Sequence, residues 1–373
     1  MLDSPPSPYS AAATSMPGAR LTWQAQVRAS IRTAADLRRA VGRDRLPDDL
    51  TAVLAAYKMG IPPYYLGLID WDDPRDPIRL QAVAAPAELV ALPEEMHDPI
   101  GDARWSPVPR LTHRYPDRAL IYPTYLCSMY CRFCFRKERL NEAEAGFPPD
   151  GLAPALEYIA THPAIHEVIL TGGDPLMLAD DKLAGLLAQL AAIPHLDGIR
   201  LHTRVPVTLP MRVTDGLCTA LASAKMLWIV THFNHPRELT PEAIAACEAL
   251  HRAGARLLNQ NVLLKGVNDS AETLAALYRG LVYRAGVKPY YLHHCDMTLG
   301  VGQFRTTIDH GLEIMKALRG HVSGLCIPTY VLDIPGGAGK SPLGPSYVRA
   351  RDGADWQIES YTGTVHSYRD TGT

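Results

Sequence analysis

Three cysteines stand at positions 127, 131 and 134 in the run YLCSMYCRFCFRKE, a C-x3-C-x2-C spacing with Phe133 directly before the third. Thiolates on one short loop wrap a cubane iron–sulfur cluster, and three of them, rather than four, leave one iron open to a small-molecule ligand. A structural zinc site wants a fourth Cys or His, and none nearby is spaced to supply it. Chance clustering is a poor alternative, because Cys218, Cys247, Cys295 and Cys326 are scattered. Seven cysteines is also an odd number for a disulfide framework. The set reads as reduced thiols around a metal site.

A second candidate is DIPGGAGKSP, residues 333–342. Its glycines keep the backbone free of side-chain crowding. Lys340 at their end can reach a bound aldehyde as a Schiff base, the usual anchorage of pyridoxal phosphate (PLP). A P-loop is excluded, because the Walker pattern needs a glycine five residues before Gly339, where this chain has Ile334. On its own Lys340 reads as a surface lysine, and the cysteine loop changes that weighing.

These groups need a scaffold. Beyond Arg118 short β-rich runs alternate with amphipathic stretches. The candidate strands are ALIYPTYL, HEVILTG, GIRLHT, LWIVTHF, RLLNQNVLL, PYYLHH and CIPTYVLD. Between them DDKLAGLLAQLAAI, TDGLCTALASA, TPEAIAACEALHRAG and RTTIDHGLEIMKALRG repeat leucine and alanine at helical spacing. The alternation predicts an α/β fold, a parallel sheet curled as a full or partial (β/α) barrel.

Such folds carry their chemistry at the C-terminal ends of the strands. Cys127 falls there, as do Gly172, Gly173 and Asp174, Thr203 and Arg204, His232 and Asn234, Asp296 and Asp333. Asn259, Gln260 and Asn261 fall within the fifth strand. Singly, each is an ordinary polar loop residue, and together they point to one shared site.

Upstream, residues 1–20 are rich in Pro, Ser and Ala and read as a disordered tail. Residues 21–117 read as an N-terminal helical extension, with two or three helices up to about Ala56 and then a Pro-rich, strand-poor connection. The barrel with its lysine loop is assigned to 118–345 and a C-terminal tail to 346–373.

At 373 residues, 47% of them hydrophobic, the chain can bury a substantial core. Its 37 basic and 39 acidic residues nearly balance, which argues against a nucleic-acid or membrane partner held by bulk charge. No apolar run approaches the roughly 18 residues of a membrane span, and the start lacks a secretory core. A cytoplasmic enzyme with a small substrate is expected.

The cysteine loop resembles that of the radical S-adenosylmethionine (SAM) superfamily, in which C-x3-C-x-aromatic-C holds a [4Fe–4S] cluster and SAM chelates its unique iron. The resemblance implies that an electron from the cluster cleaves SAM, and that the resulting radical takes hydrogen from the substrate. LTGGDPL looks like the superfamily's glycine-rich turn after the second strand, which places Gly172, Gly173 and Asp174 near SAM. Taken with the lysine loop, the chain resembles the lysine 2,3-aminomutase family from about Trp23 to Pro345. The likeness is carried by PYYLGLI, DPRDPIRLQAV, LTHRYPDRAL, CSMYCRFCFRKE, TGGDPL, THFNHP, NQNVLLKGVND, PYYLHHCDMTLG, FRT, LRGHVSG and PTYVLDIPGGAGK.

By this resemblance, Lys340 carries PLP, Arg114 and Arg118 lie near the PLP phosphate, and Arg136 pairs with the substrate carboxylate. Asp296 and Asp333 hold the far ammonium of the substrate, while His232 and Gln260 line the SAM site. A cation taken out of water needs such acids. The related glutamate aminomutase replaces them, so the resemblance favours lysine over glutamate. The implied reaction is a 1,2-shift of the amino group that converts L-lysine to β-lysine, with the coenzyme delocalising the unpaired electron and SAM regenerated. An electron donor such as flavodoxin or ferredoxin is implied as a partner.

The chain also departs from the family. Where larger members carry clustered zinc-binding cysteines, this chain ends in WQIESYTGTVHSYRDTGT, and after VND it has Ser270 rather than Cys. No zinc site is expected, and the oligomeric state, homo-oligomer or otherwise, stays open. Ala338 stands where many relatives have glycine, and His293 and His294 stand where aromatic or neutral polar residues are usual. Three alternatives remain beside lysine: another cationic amino acid such as arginine, the β-lysine-forming enzyme of elongation factor P modification, and, outside enzymes, an iron–sulfur sensing protein.

Overall fold

The computed structural model describes residues 21–372 except 43–45, 47–49, 142–145, 149–150 and 225. The segment 1–20, read above as a disordered tail, lies outside the described residues.

Nine strands follow one another in chain order across a single sheet. They are β1 Leu111–Tyr115, β2 Arg118–Thr124, β3 Glu167–Gly172, β4 Gly198–His202, β5 Leu227–Thr231, β6 Arg256–Val262, β7 Lys288–His293, β8 Thr329–Ile334 and β9 Gly339–Pro342. Strands β2 to β8 are parallel. They correspond to the seven runs read from sequence. β1 and β9 are antiparallel additions at the two edges. The two edges do not pair with each other, so the barrel is partial. One bond spans the gap, from the Lys340 amide of β9 to the Tyr115 hydroxyl of β1 at 2.8 Å.

The helices pack outside the sheet on the faces their periodicity marks. In Asp180–Ala191 the buried residues are Leu183, Leu186, Leu187 and Leu190, one stripe at 3.6-residue spacing. In Pro241–Arg252 they are Ala243, Ala246, Cys247 and Leu250, with Thr240 capping the first turn. A helix absent from the runs singled out above, Ala271–Arg284, buries Leu274, Leu277, Tyr278 and Leu281. Among the described residues no helix is long and apolar enough to cross a membrane.

Three helices occupy the start of the extension, Trp23–Arg28, Ala34–Val41 and Thr51–Ala56. The Pro-rich stretch after them adds the short helices Pro63–Leu66 and Pro77–Ala82. It ends in β1, a strand that polar LTHRY did not reveal. The C-terminal residues assigned to a tail hold a three-stranded antiparallel meander: β10 Val348–Asp352, β11 Asp355–Glu359 and β12 Val365–Arg369. Its outer strands β10 and β12 are exposed throughout and only β11 is half-buried, so the outer two lack the apolar alternation by which strands are found in sequence.

Candidate active site

The cysteine loop leaves β2 just after Thr124 and is clamped by the glycines that end β3. Gly172 adopts φ 106°, and a Cβ there would lie 2.9 Å from the Thr124 carbonyl oxygen. At Gly173 a Cβ would come within 2.4 Å of the Leu126 carbonyl oxygen. The amides of Gly173 and Asp174 donate to Thr124 and Leu126 at 2.8 Å each. Two glycines are therefore required because two backbones touch here.

Asp174 has a second duty that the sequence did not suggest. Its carboxylate accepts from the Leu176 amide, the Thr203 hydroxyl and the Arg204 and Val205 amides, at 2.7 to 3.2 Å. With every lone pair engaged, it ties the β3 turn to the β4 turn. Its carboxylate is thus a brace between turns, and what the GGD run offers a ligand is backbone.

Cys127, Cys131 and Cys134 are each partly accessible and reduced. Burial drives the Cys127 thiol well above its usual range and Cys134 up to about 11. As thiolates in such surroundings they need a cationic partner, which fits a donor set meant for iron. Arg204 supplies a fixed neighbouring charge, with Nη1 2.9 Å from Cys131 Sγ and its guanidinium 5.1 Å over the Phe133 ring. Its Nη2 donates to Glu238 at 2.7 Å and to Gln81 at 2.6 Å, and its Nε to the His232 carbonyl at 3.2 Å. This Arg204–Glu238–Gln81 set was not read as a site from sequence. Glu238 follows Asn234 by four residues and Gln81 comes from the extension, so only folding joins them.

His232 packs its ring 5.4 Å from Phe133 and holds Nε2 3.2 Å from Asn234 Oδ1. Burial and Arg204 keep it neutral. Gln260 Nε2 lies 3.2 Å from His202 Nδ1, and His202 Nε2 is buried without a partner among the described residues. Asn259 and Asn261 serve the scaffold, the first bridging Thr231 and Phe233 and the second accepting from Tyr278.

The lysine loop is a hairpin between β8 and β9, in which Asp333 pairs directly with Lys340. Gly336 and Gly337 turn it at φ 77° and 84°. Lys340 Nζ lies 2.6 and 2.7 Å from the two Asp333 oxygens, and His293 Nδ1 lies 3.2 Å from Oδ2. Against the upward push of burial, these partners hold the Asp333 carboxyl well below its usual range. His293 Nε2 is buried without a partner among the described residues.

Asp296 behaves in the opposite way. Burial first and the Asp333 charge second push its carboxyl up to about 7. Among the described residues no side chain or amide donates to it. Lys340 and Arg136 act on it only from a distance, and Asp333 beside it spends its charge on Lys340.

At the opposite edge of the sheet, Arg136 donates Nε and Nη2 to Asp102 at 2.9 and 2.7 Å. Arg114 donates Nη2 to the other Asp102 oxygen at 3.0 Å. Asp102 and Arg136 line a cavity of about 220 Å³ together with Phe135 and Arg139. Arg118 stands apart from this trio, stacked 3.9 Å over the Tyr115 ring and paired with Asp117.

A family model described as Lysine-2,3-aminomutase matches residues 315–372, and one described as Radical SAM superfamily matches residues 121–277. The L-lysine 2,3-aminomutase of Clostridium subterminale is 41% identical over 93% of this chain and 83% of its own length. The glutamate 2,3-aminomutase of Clostridioides difficile is 41% identical over 84% of this chain and 74% of its own. Among solved structures, a radical SAM methyltransferase from Sphaerobacter thermophilus is 18% identical, with a TM-score of 0.42, over 60% of this chain and 68% of that one.

Proposed function

The chain belongs to the lysine 2,3-aminomutase family of radical SAM isomerases, which work with a [4Fe–4S] cluster, SAM and PLP, and from that premise we propose that it converts L-lysine to β-lysine. The observation that carries the choice of substrate is the acidic pair Asp296 and Asp333 beside Lys340. Percent identity does not discriminate, since the lysine and the glutamate enzyme are both 41% identical to this chain. Charge does, because a second carboxylate on the substrate would face two buried acids, whereas an ammonium supplies the charge that Asp296 lacks.

In this reading Cys127, Cys131 and Cys134 hold the cluster, and the backbone of Gly172, Gly173 and Asp174, with His232 and Gln260, lines the SAM site. Lys340 carries the coenzyme, and Arg114 and Arg118 receive its phosphate. Arg136 fixes the substrate carboxylate, which leaves the far ammonium to Asp296 and Asp333. Together the bound groups supply one-electron cleavage of SAM, hydrogen transfer and delocalisation of the unpaired electron.

The chain's own residues set where that chemistry happens. Substrate is held at both ends, by Arg136 and by the acids, so the carbon that loses hydrogen is placed by length. Lys340 would carry the coenzyme, and whenever its amine is free Asp333, directly across the hairpin, would hold it as an ammonium. Asp296 then remains for the substrate cation. Arg204 balances thiolate charge at the cluster without titrating, since burial is outweighed by Cys131 and Glu238 and its charge is held.

We take residues 118–345 as the catalytic unit, a cytoplasmic location, and a one-electron donor such as flavodoxin or ferredoxin as parts of the same proposal. The test is anaerobic reconstitution with iron, sulfide, PLP, SAM and reductant, followed by chromatography of products from L-lysine, L-arginine and L-glutamate. β-Lysine lost on Lys340→Ala and on Asp296→Ala supports the reading. β-Arginine as the main product, or no product from a fully loaded enzyme, overturns it.

A further inference from the structure

The turn from Asp98 to Trp105 holds none of the residues given a role above, yet it reaches three of the groups that have one. Asp98 closes the turn by accepting the amides of Asp102 and Ala103 at 2.9 Å each. The Gly336 amide donates to the Pro99 carbonyl at 3.0 Å, and a Cβ on Gly101 would meet the Gly336 backbone at 2.9 Å. The turn is thus pressed against the loop that leads to Lys340. From its middle Asp102 extends to Arg114 with one oxygen and to Arg136 with the other.

We propose that Asp102 is a positioning residue that holds Arg114 and Arg136 at a set separation, so that the coenzyme phosphate and the amino-acid carboxylate are bound in register with each other and with Lys340. This rests on the roles proposed for the two arginines.

Two guanidiniums without a counter-ion repel, and each swings on a flexible stem. The carboxylate between them is 3% exposed and its partners 9% and 11%, so the trio is shielded from water and carries one net positive charge. It also decides which nitrogens stay free. Arg136 commits Nε and Nη2 to Asp102 and keeps Nη1 for a ligand. Arg114 commits Nη2, while its Nε is buried with no acceptor among the described residues. An unpaired buried N–H costs free energy unless something fills it. A phosphate oxygen is the chemistry that would.

The test uses the full chain, reconstituted without SAM or reductant so that nothing turns over. The absorbance of lysine-bound coenzyme reports PLP affinity, and its change with added amine reports substrate affinity. L-Lysine is compared with L-lysinamide, which lacks the carboxylate. Asp102→Asn keeps the shape but turns an N–H toward a guanidinium. It is expected to weaken L-lysine by about tenfold or more and PLP severalfold, with L-lysinamide unchanged, each at the scale of one charged hydrogen bond. Asp102→Glu should restore part of both and keeps the proposal testable if the amide variant does not fold. Unchanged affinities in a protein that merely melts earlier would overturn the proposal. If the unmodified protein does not distinguish L-lysine from L-lysinamide, the carboxylate role of Arg136 fails, and that outcome also removes the proposal's premise.

Discussion

At the scale of single residues, the two acids differ in charge state because they differ in neighbours. Asp333 is neutralised by Lys340 and hydrogen-bonded to His293, while at Asp296 burial and the Asp333 charge outweigh the more weakly felt Lys340 and Arg136. An acid raised to about 7 is mostly protonated below that pH and charged above it. Cation binding that uses its charge must therefore strengthen as pH rises through 7 and fade as pH falls. We expect L-lysine affinity, read from coenzyme absorbance between pH 6 and 8, to lose up to about tenfold of its change per pH unit in Asp296→Asn. The α-amine of lysine also titrates, so the difference between the two proteins is the quantity to compare. Equal slopes would mean that Asp296 does not face the substrate.

At the scale of elements, the site depends on turns that touch. The end of β3 lies against the cysteine loop so closely that Gly173 has no room for a methyl group, with backbone atoms 2.4 and 2.5 Å from where it would stand. Backbone cannot yield as a side-chain tip can. Gly173→Ala is expected to push the cysteine loop away and cut iron and sulfide content after anaerobic reconstitution by more than half, while coenzyme still binds at Lys340. Full iron content in this variant would show that the contact does not set the cysteine geometry. The GGD run was legible as a glycine-rich turn at the end of a strand. That its aspartate side chain faces inward to brace Thr203, Arg204 and Val205 was not, because those partners lie 29 to 31 residues away.

At the scale of the whole molecule, the N-terminal extension is bolted to the cysteine loop by buried charge. Glu88 pairs with Arg132 at 2.5 Å and Lys137 at 3.3 Å, all of them almost wholly buried. Gln81 joins from the same extension through Arg204. Removing one partner of a buried pair leaves an uncompensated charge, at a cost of about 3–5 kcal/mol. Glu88→Gln should lower the stability of the metal-free protein by that order in chemical denaturation. It should also weaken retention of the cluster, since Arg132 and Lys137 flank Cys131 and Cys134. A transition unchanged within 1 kcal/mol, the scale of exposed pairs, would show that the pair does not anchor the extension.

The sequence by itself determined the parallel strands, most of the helices around them and the two loops that carry the three closely spaced cysteines and Lys340. Period-2 and period-3.6 patterns are local, and so are ligand spacings on one loop. Tertiary structure alone decided the charge of the two acids, the bond from Lys340 to Tyr115 across the sheet edges, and the bridge Arg114–Asp102–Arg136. Asp102 sits in a Pro-rich stretch without periodicity, 12 and 34 residues from its partners. Its importance is a matter of distance in space and exclusion of water. Neither is written in the order of residues until the chain has closed around them.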